Sequence, residues 1–441
     1  MRNVPLIAAF ALIGATAAGA GVFPFAYRVH TLDNGLKVIL LPLPSDGLVA
    51  YYSVVRTGSR DEVEPGHSGF AHFFEHMMFR GTEKVPGPEY DRLMTSMGAN
   101  ANAYTTDDWT TYHIAFTAAD LPRIIELEAD RFQNLSYAER EFQTEAGAVY
   151  GELRKGKTSP MFVLFEALQN TAFEQHTYKH TTIGFEADVA AMPTMYEYSR
   201  SFFSRFYRPE NVVVLIAGDF DEKATVALIE QHYGGWKRGY VAPQVPAEPA
   251  QTAARRVDVS YEGRTLPILT IAWKGERFDP ANRDVAAALL LEDLLFGETS
   301  EAYRELVLEQ RLVQRLRADF SSGRDPGLWT VMATIGQEKD IDAVHAAIDA
   351  TVARFRQQPP GELELESLKK RVRYQFLMGL DTPDNVAGSL ARYVALTGGI
   401  EAVDQLFAAL AAVTPADVQR TAAAYLTEAR RTVAVLKGAT K

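Results

Sequence analysis

Two stretches of this sequence end alike. Tyr207-Arg-Pro-Glu-Asn-Val-Val-Val-Leu-Ile-Ala-Gly218 and Tyr425-Leu-Thr-Glu-Ala-Arg-Arg-Thr-Val-Ala-Val-Leu-Lys-Gly438 each read as a buried strand entered from a helix. Helix-entry signals precede both, Pro193–Thr194 in one case and Thr414–Pro415 in the other. The two copies lie about half of the 441-residue chain apart. A period that long points to duplication of a unit that mixes strands and helices. Between the copies runs Val241-Ala-Pro-Gln-Val-Pro-Ala-Glu-Pro249, whose composition predicts an extended, semi-rigid connection. The expected organisation is a leader over 1–20, a first unit over 21–240, a linker over 241–254 and a second unit over 255–441.

The first unit opens with Tyr27-Arg-Val-His-Thr-Leu-Asp-Asn-Gly35 and the apolar run 36–42, a strand, an Asn-Gly turn and a second strand. Another strand is expected over 48–55. Helical patterning covers 70–78, 90–97, 121–135 and 138–155; in the third, Ile124, Leu127 and Leu135 recur at helical spacing.

At the N-terminus, Met1-Arg2-Asn3 is a minimal positive region followed by the apolar run 4–14 and small residues ending in Ala18-Gly19-Ala20. That order fits a secretory leader cleaved before Gly21. The run is shorter than the ~20 apolar residues of a membrane span, so no stable membrane anchor is expected. The chain reads as exported, and periplasmic if the source is a Gram-negative bacterium. With 45 Lys and Arg against 56 Asp and Glu, the net charge is −11, the wrong sign for a phosphate-backbone footprint, so nucleic acid is not an expected partner. The chain has no cysteine, so a metal here must sit on His, Asp or Glu.

One motif has the chemistry for this. His72-Phe-Phe-Glu75-His76 is an H-x-x-E-H pattern in an apolar helical run. Histidines four apart share a helix face, so both imidazoles can reach one ion. Glu75 lies one turn from His72, near that ion without having to bind it. Zinc lowers the pKa of a bound water to about 7, and an adjacent carboxylate can take its proton during attack on a carbonyl. A catalytic zinc needs a third protein ligand and an open position. The helix over 138–155 offers Glu139, Glu141, Glu145 and Glu152. Glu145 and Glu152 are two turns apart on one face, so one could ligate while the other supports a ligand from behind, and spacing does not choose between them. Glu139 and Glu141 read as solvated helix carboxylates.

Gly69-Phe-Ala-His72-Phe-Phe-Glu75-His76-Met77, Gly81-Thr82, Asn102-Ala103-Tyr104-Thr105 and the Glu145/Glu152 pair together resemble the pitrilysin/insulinase family. The likeness is to its shorter members, such as mitochondrial processing peptidase subunits and their bacterial relatives. It implies an α+β fold of two homologous α/β domains, each a mainly antiparallel sheet packed with helices. The first would bind one Zn2+ and the second would carry no metal. In the family the third ligand is a Glu at the separation Glu152 has from His76, which selects Glu152; Glu145 then matches a glutamate behind the ligands. The resemblance also assigns Asn102, Ala103 and Tyr104 to an edge strand on which an extended peptide substrate adds, with a neighbouring strand over 110–116.

Self-sufficient family members carry an Arg and a Tyr seven apart in the second domain, which hold the substrate backbone. The corresponding segment is Leu306-Val307-Leu-Glu-Gln-Arg311-Leu312-Val313-Gln314, with Val307 and Gln314 in those places. Val cannot donate a hydrogen bond, and Gln is a poor substitute for a phenol; loss of one oxyanion donor costs ~10²–10³ in rate. The expectation is a zinc endopeptidase subunit with Glu75 as general base, acting on peptides or unfolded segments. Its partner would be a homologous zinc-free subunit supplying the Arg/Tyr pair, a heterodimer being favoured over a homodimer. Arg311 or Arg315 would stand in if the register is off by a turn. The alternative is a non-catalytic binding or scaffold subunit of a processing complex, which the intact motif disfavours. A zinc hydrolase of another substrate class on an unrelated fold would make the edge-strand and two-glutamate matches accidental. Of the remaining histidines, His176 and His180 have metal spacing in a loop context, and His67 is expected at the surface.

Overall fold

The computed structural model describes residues 21–439. The leader read over 1–20 lies outside them. Six strands form the first sheet: β1 (Arg28–Thr31), β2 (Lys37–Pro42), β3 (Leu48–Val55), β4 (Asn100–Thr105), β5 (Thr110–Thr117) and β6 (Val212–Gly218). Their spatial order is β1-β2-β6-β3-β5-β4. Helices α1 (Phe70–Met77) and α2 (Gly87–Ser96) join β3 to β4; α3 (Leu121–Asn134), α4 (Glu139–Gly156), α5 (Pro160–Ala172), α6 (Glu186–Ala191) and α7 (Tyr196–Phe206) lead from β5 to β6. Helix α8 (Glu222–Tyr233) follows.

The second sheet comprises β7 (Arg255–Tyr261), β8 (Ile268–Lys274), β9 (Val313–Asp319), β10 (Leu328–Ile335) and β11 (Arg431–Gly438), in the order β7-β11-β8-β10-β9. Helix α9 (Arg283–Phe296) and the short α10 (Glu301–Tyr303), which runs on as a π-helical turn, join β8 to β9. After β10 come α11 (Ile341–Gln357), α12 (Glu362–Met378), α13 (Pro383–Thr397), α14 (Glu401–Ala412) and α15 (Pro415–Tyr425).

Pairing sense shows the duplication. In the first sheet β2 runs parallel to β6, and then β6–β3, β3–β5 and β5–β4 are all antiparallel. The second sheet repeats this as β7 parallel to β11, then β11–β8, β8–β10 and β10–β9 antiparallel. Strand β1 is the one addition. The fold is α+β, with two related units. By this correspondence α1 and α9 occupy the same place, but α9 fills it with Val285, Ala286, Ala287, Ala288, Leu290 and Leu291, all buried.

Strand β6 is buried along its whole length, which explains its unbroken apolar run: a strand covered on both faces cannot alternate. One face of the first sheet, with Val38, Leu40, Tyr51 and Val214, packs among the residues of α1, α3, α4 and α7. The other, with Ile39, Leu41, Tyr52, Val54 and Leu215, joins the core of the second unit through α13. The packing crosses the seam in the other direction too. Helix α5 belongs to the first half of the sequence, yet its Leu164 and Leu168 cover Ile268, Ala272, Ala434 and Leu436 of the second sheet. Among the described residues, no single helix is long and apolar enough to cross a membrane.

The stretch 241–254 contains no helix and its residues up to Ala254 form no strand, but it is anchored. Glu248 accepts from the backbone N–H groups of Glu174, Gln175 and His176 at 3.0–3.1 Å, and Lys274 lies 3.3 Å away. Burial works to raise the Glu248 pKa, and these donors outweigh it and hold the carboxyl below its ordinary value. Its stabilisation is therefore present above the ordinary carboxylate pKa and is lost as pH falls through the lowered one. Glu248→Gln, which presents an amide N–H to the same donors, should lower unfolding stability at pH 7 by about 1.5–3 kcal/mol in denaturant titrations. The difference from wild type should shrink as the pH is lowered below about 4.

Candidate metal centre

Helix α1 has two faces with different tasks. Phe70, Ala71, Phe73, Phe74 and Met77 are buried at 0–1% exposure, which turns His72, Glu75 and His76 together to the other side. The helix start is fixed independently. Gly69 has φ +95°, and an added Cβ would stand 2.5 Å from the Ile183 carbonyl oxygen, so only glycine fits there. The buried Glu62 carboxylate accepts from the N–H groups of Gly69 and Ala71, both at 2.7 Å, satisfying two donors of the first turn.

Helix α4 crosses this face with Glu145 buried and Glu152 exposed. His72, His76 and Glu152 offer ligand atoms that all lie within 4.8 Å of one another, the one such group among the described residues. The Glu152 carboxylate is 3.6 Å from His72 Nε2 and 3.5 Å from His76 Nε2. Those separations are long for hydrogen bonds. They are close to the ~3.3–3.4 Å between tetrahedral vertices when each ligand is ~2.0–2.1 Å from zinc. The donor set, two imidazoles and one carboxylate, suits zinc and leaves the remaining position to water or substrate.

The surroundings set the charge and orientation of each group. Burial, and then the neighbouring His76, pushes His72 down to about 4, so its imidazole is neutral at pH 7 and keeps a lone pair for an ion. His76 Nδ1 lies 2.9 Å from Glu145, whose other oxygen takes Arg80. This bond orients the ring so that Nε2 faces Glu152. Burial would lower His76, but Glu145 and the charge of Glu152 outweigh it and raise the ring's pKa. Glu145 itself is held down by His76 and Arg80 against the upward push of burial.

Glu75 accepts from Thr105 Oγ1 at 2.7 Å, and burial raises its pKa despite that bond. Thr105 ends β4, the outermost strand of the first sheet, which also carries Asn102, Ala103 and Tyr104. Asn102 is exposed, Ala103 is buried and Tyr104 is half-buried, and among the described residues the outer side of this strand has no sheet partner. The Thr105–Glu75 bond has no sequence signal beyond Thr105 closing the motif.

The other candidate positions lie elsewhere. Val307 sits on the π-helical turn, half-buried against the second core, and Gln314 is exposed on β9. Arg311 takes φ +55° at the turn into β9, and Arg315 stands on that strand. Among the contacts of the described residues, no hydrogen bond or ion pair joins either arginine to the histidine group. His176 is buried with Nε2 3.0 Å from Asp325, and His180 Nδ1 meets the Thr181 carbonyl, so the two imidazoles serve separate contacts. His67, expected at the surface, is half-buried because its ring stacks on Tyr198 with centroids 4.0 Å apart.

The chain is similar to known proteins. The family described as "Insulinase (Peptidase family M16)" matches residues 38–185, and "Peptidase M16 inactive domain" matches residues 195–372. The "Zinc protease PqqE" of Helicobacter pylori is 30% identical over 373 residues, 82% of each chain. The "Mitochondrial-processing peptidase subunit beta" of Bos taurus is 26% identical over 333 residues, 72% of this chain and 66% of that one. A solved protease from Helicobacter pylori superposes with a TM-score of 0.87 at 28% identity, covering 94% of this chain and 99% of that one.

Glu145→Gln should weaken Zn2+ binding by about 10–100-fold in competition with a chelator, because the amide no longer holds His76 by charge. Glu139→Gln, on an exposed position of the same helix, should leave it unchanged.

Proposed function

For this chain, which belongs to the insulinase (M16) peptidase family, we propose the role of a zinc-dependent endopeptidase subunit acting on peptides or unfolded segments. The observation that carries this reading is the Glu152 carboxylate 3.6 and 3.5 Å from two imidazoles, with Glu75 on the same helix face. His72, His76 and Glu152 would hold one Zn2+, with Glu145 fixing His76. Bound there, zinc would polarise the scissile carbonyl and make water acidic near neutral pH.

The remaining work falls to the chain's own groups. Glu75 takes the proton of the attacking water and returns it to the leaving amine. Thr105 holds one of its oxygens, so the carboxylate keeps a single orientation through both transfers. The outer side of β4, at Asn102, Ala103 and Tyr104, receives the peptide as an added strand, fixing its backbone with little demand on its sequence. Val307 and Gln314 leave the second unit without an Arg/Tyr pair, which favours a homologous zinc-free partner that supplies it, in a heterodimer rather than a homodimer. The leader sequence supports export, to the periplasm in a Gram-negative source.

The test is chelator-sensitive hydrolysis of unfolded peptides by the mature chain, with metal content measured on the same sample. One zinc per chain is expected, and turnover should rise sharply on adding the partner. Glu75→Gln should keep the zinc and lose cleavage. Retained turnover in that variant would refute the role of the base, and zinc-free protein that only binds peptides would favour a scaffold subunit.

A further inference from the structure

Strand β4 has a mechanical problem. It bears Thr105, the residue that holds Glu75, yet it lies at the sheet edge and pairs only with β5. Its outer side must stay open if a peptide is to add there. Helices α1 and α2 pack on the face of the hairpin, and a further brace that leaves the outer side open can act at its tip, the turn 106–109 between β4 and β5.

Such a brace is present, and it joins the two units: Tyr178 of the first and the segment 323–325 of the second meet at the turn. Asp108, 3% exposed, stands in the turn with both carboxylate oxygens occupied. Tyr178 Oη donates to Oδ1 at 2.7 Å, and the backbone N–H of Arg324 donates to Oδ2 at 3.0 Å. The approach depends on Gly323, where an added Cβ would stand 2.5 Å from Asp108 Oδ2 and 2.6 Å from Tyr178 Oη. Arg324 continues across the seam, donating from Nη1 to the Arg56 carbonyl at 3.0 Å and to buried Asp61 at 3.3 Å. On the other flank, the N–H of Arg60 donates to the Asp107 carbonyl at 2.7 Å. The turn is thus clamped between the segment around Asp61 and the segment 323–325.

We propose that Asp108, Tyr178 and Gly323 are positioning residues for catalysis. Through them Tyr178 of the first unit and the segment 323–325 of the second together hold the β4–β5 hairpin, and with it Thr105, so that the Glu75 carboxylate keeps its place. The inference rests on the peptidase reading for its catalytic consequence, but the brace itself is a property of the chain. A displacement of about 1 Å at a reacting group can cost ~10²-fold in rate, so a loosened tip reaches the chemistry without touching the metal.

The experiment compares wild type, Asp108→Asn and Tyr178→Phe as zinc-loaded mature chains, with the partner subunit if turnover requires it. In Asp108→Asn the amide cannot accept from both donors. The Phe variant removes one donor, is the milder change, and serves if the Asn variant does not fold. For each, kcat and KM on an unfolded peptide, zinc content, melting temperature and amide hydrogen exchange are measured. The expected result is a kcat lower by about 10–100-fold with KM and zinc unchanged, and faster exchange confined to the hairpin 100–117. A lower melting temperature with kcat and hairpin exchange both unchanged would overturn the proposal. If wild type shows no chelator-sensitive turnover, the peptidase reading fails, and the brace is decided by exchange: faster hairpin exchange in the variants supports it, and unchanged exchange refutes it.

Discussion

The site depends on the burial of one stripe of α1. Phe70, Phe73, Phe74 and Met77 are fully enclosed, and Phe74 stacks on Phe202 with centroids 5.3 Å apart. A helix anchored this way cannot rotate without exposing several aromatic rings, each worth roughly 1.5–3 kcal/mol of burial. Because the helix cannot turn, His72, Glu75 and His76 face α4 and β4 together. The placement of the candidate ligands His72 and His76 and of Glu75 beside the edge strand is therefore a consequence of one packing decision. The carboxylate of Glu62 at the first turn fixes the helix along its axis, as the rings fix it about its axis.

Polar groups at the centre form chains in which each member orients the next. Arg80 holds Glu145, Glu145 holds His76, and His76 faces Glu152. Thr105 holds Glu75, and the turn beyond Thr105 is held in its turn by Tyr178 and Arg324. The first chain lies within one unit. The second crosses to the other unit through Arg324.

Duplication frames this division. The two sheets share a strand order and pairing sense, and α1 and α9 hold equivalent places. In α9 that place is filled by alanine and leucine, giving a helix that is almost entirely core. One copy of the unit keeps a polar helix face beside its edge strand, and the other uses the same helix for packing. Val307 and Gln314 belong to this second copy.

Local periodicity was enough to read much of this from the sequence. The strand over 48–55, the helices read over 70–78 and 138–155, and the recurrence of a strand after a helix in each half all follow from residue spacing, because a helix or strand repeats every few residues; the strand read over 110–116 came with the family resemblance. The i, i+3, i+4 placement of His72, Glu75 and His76 fixes a shared face for the same reason. Which glutamate of α4 would meet the histidines was not decided by spacing, since Glu145 and Glu152 share a face; the crossing of α4 over α1 placed Glu152 at both Nε2 atoms and Glu145 at Nδ1. The tie from Thr105 to Glu75, the clasp of Asp108 by Tyr178 and Arg324, the anchoring of Glu248 and the burial of His176 against Asp325 join residues 30 to 216 positions apart. Such contacts have no period in the sequence. They exist only because helices, loops and the two sheets pack in one particular arrangement, and that arrangement is set by the tertiary structure as a whole.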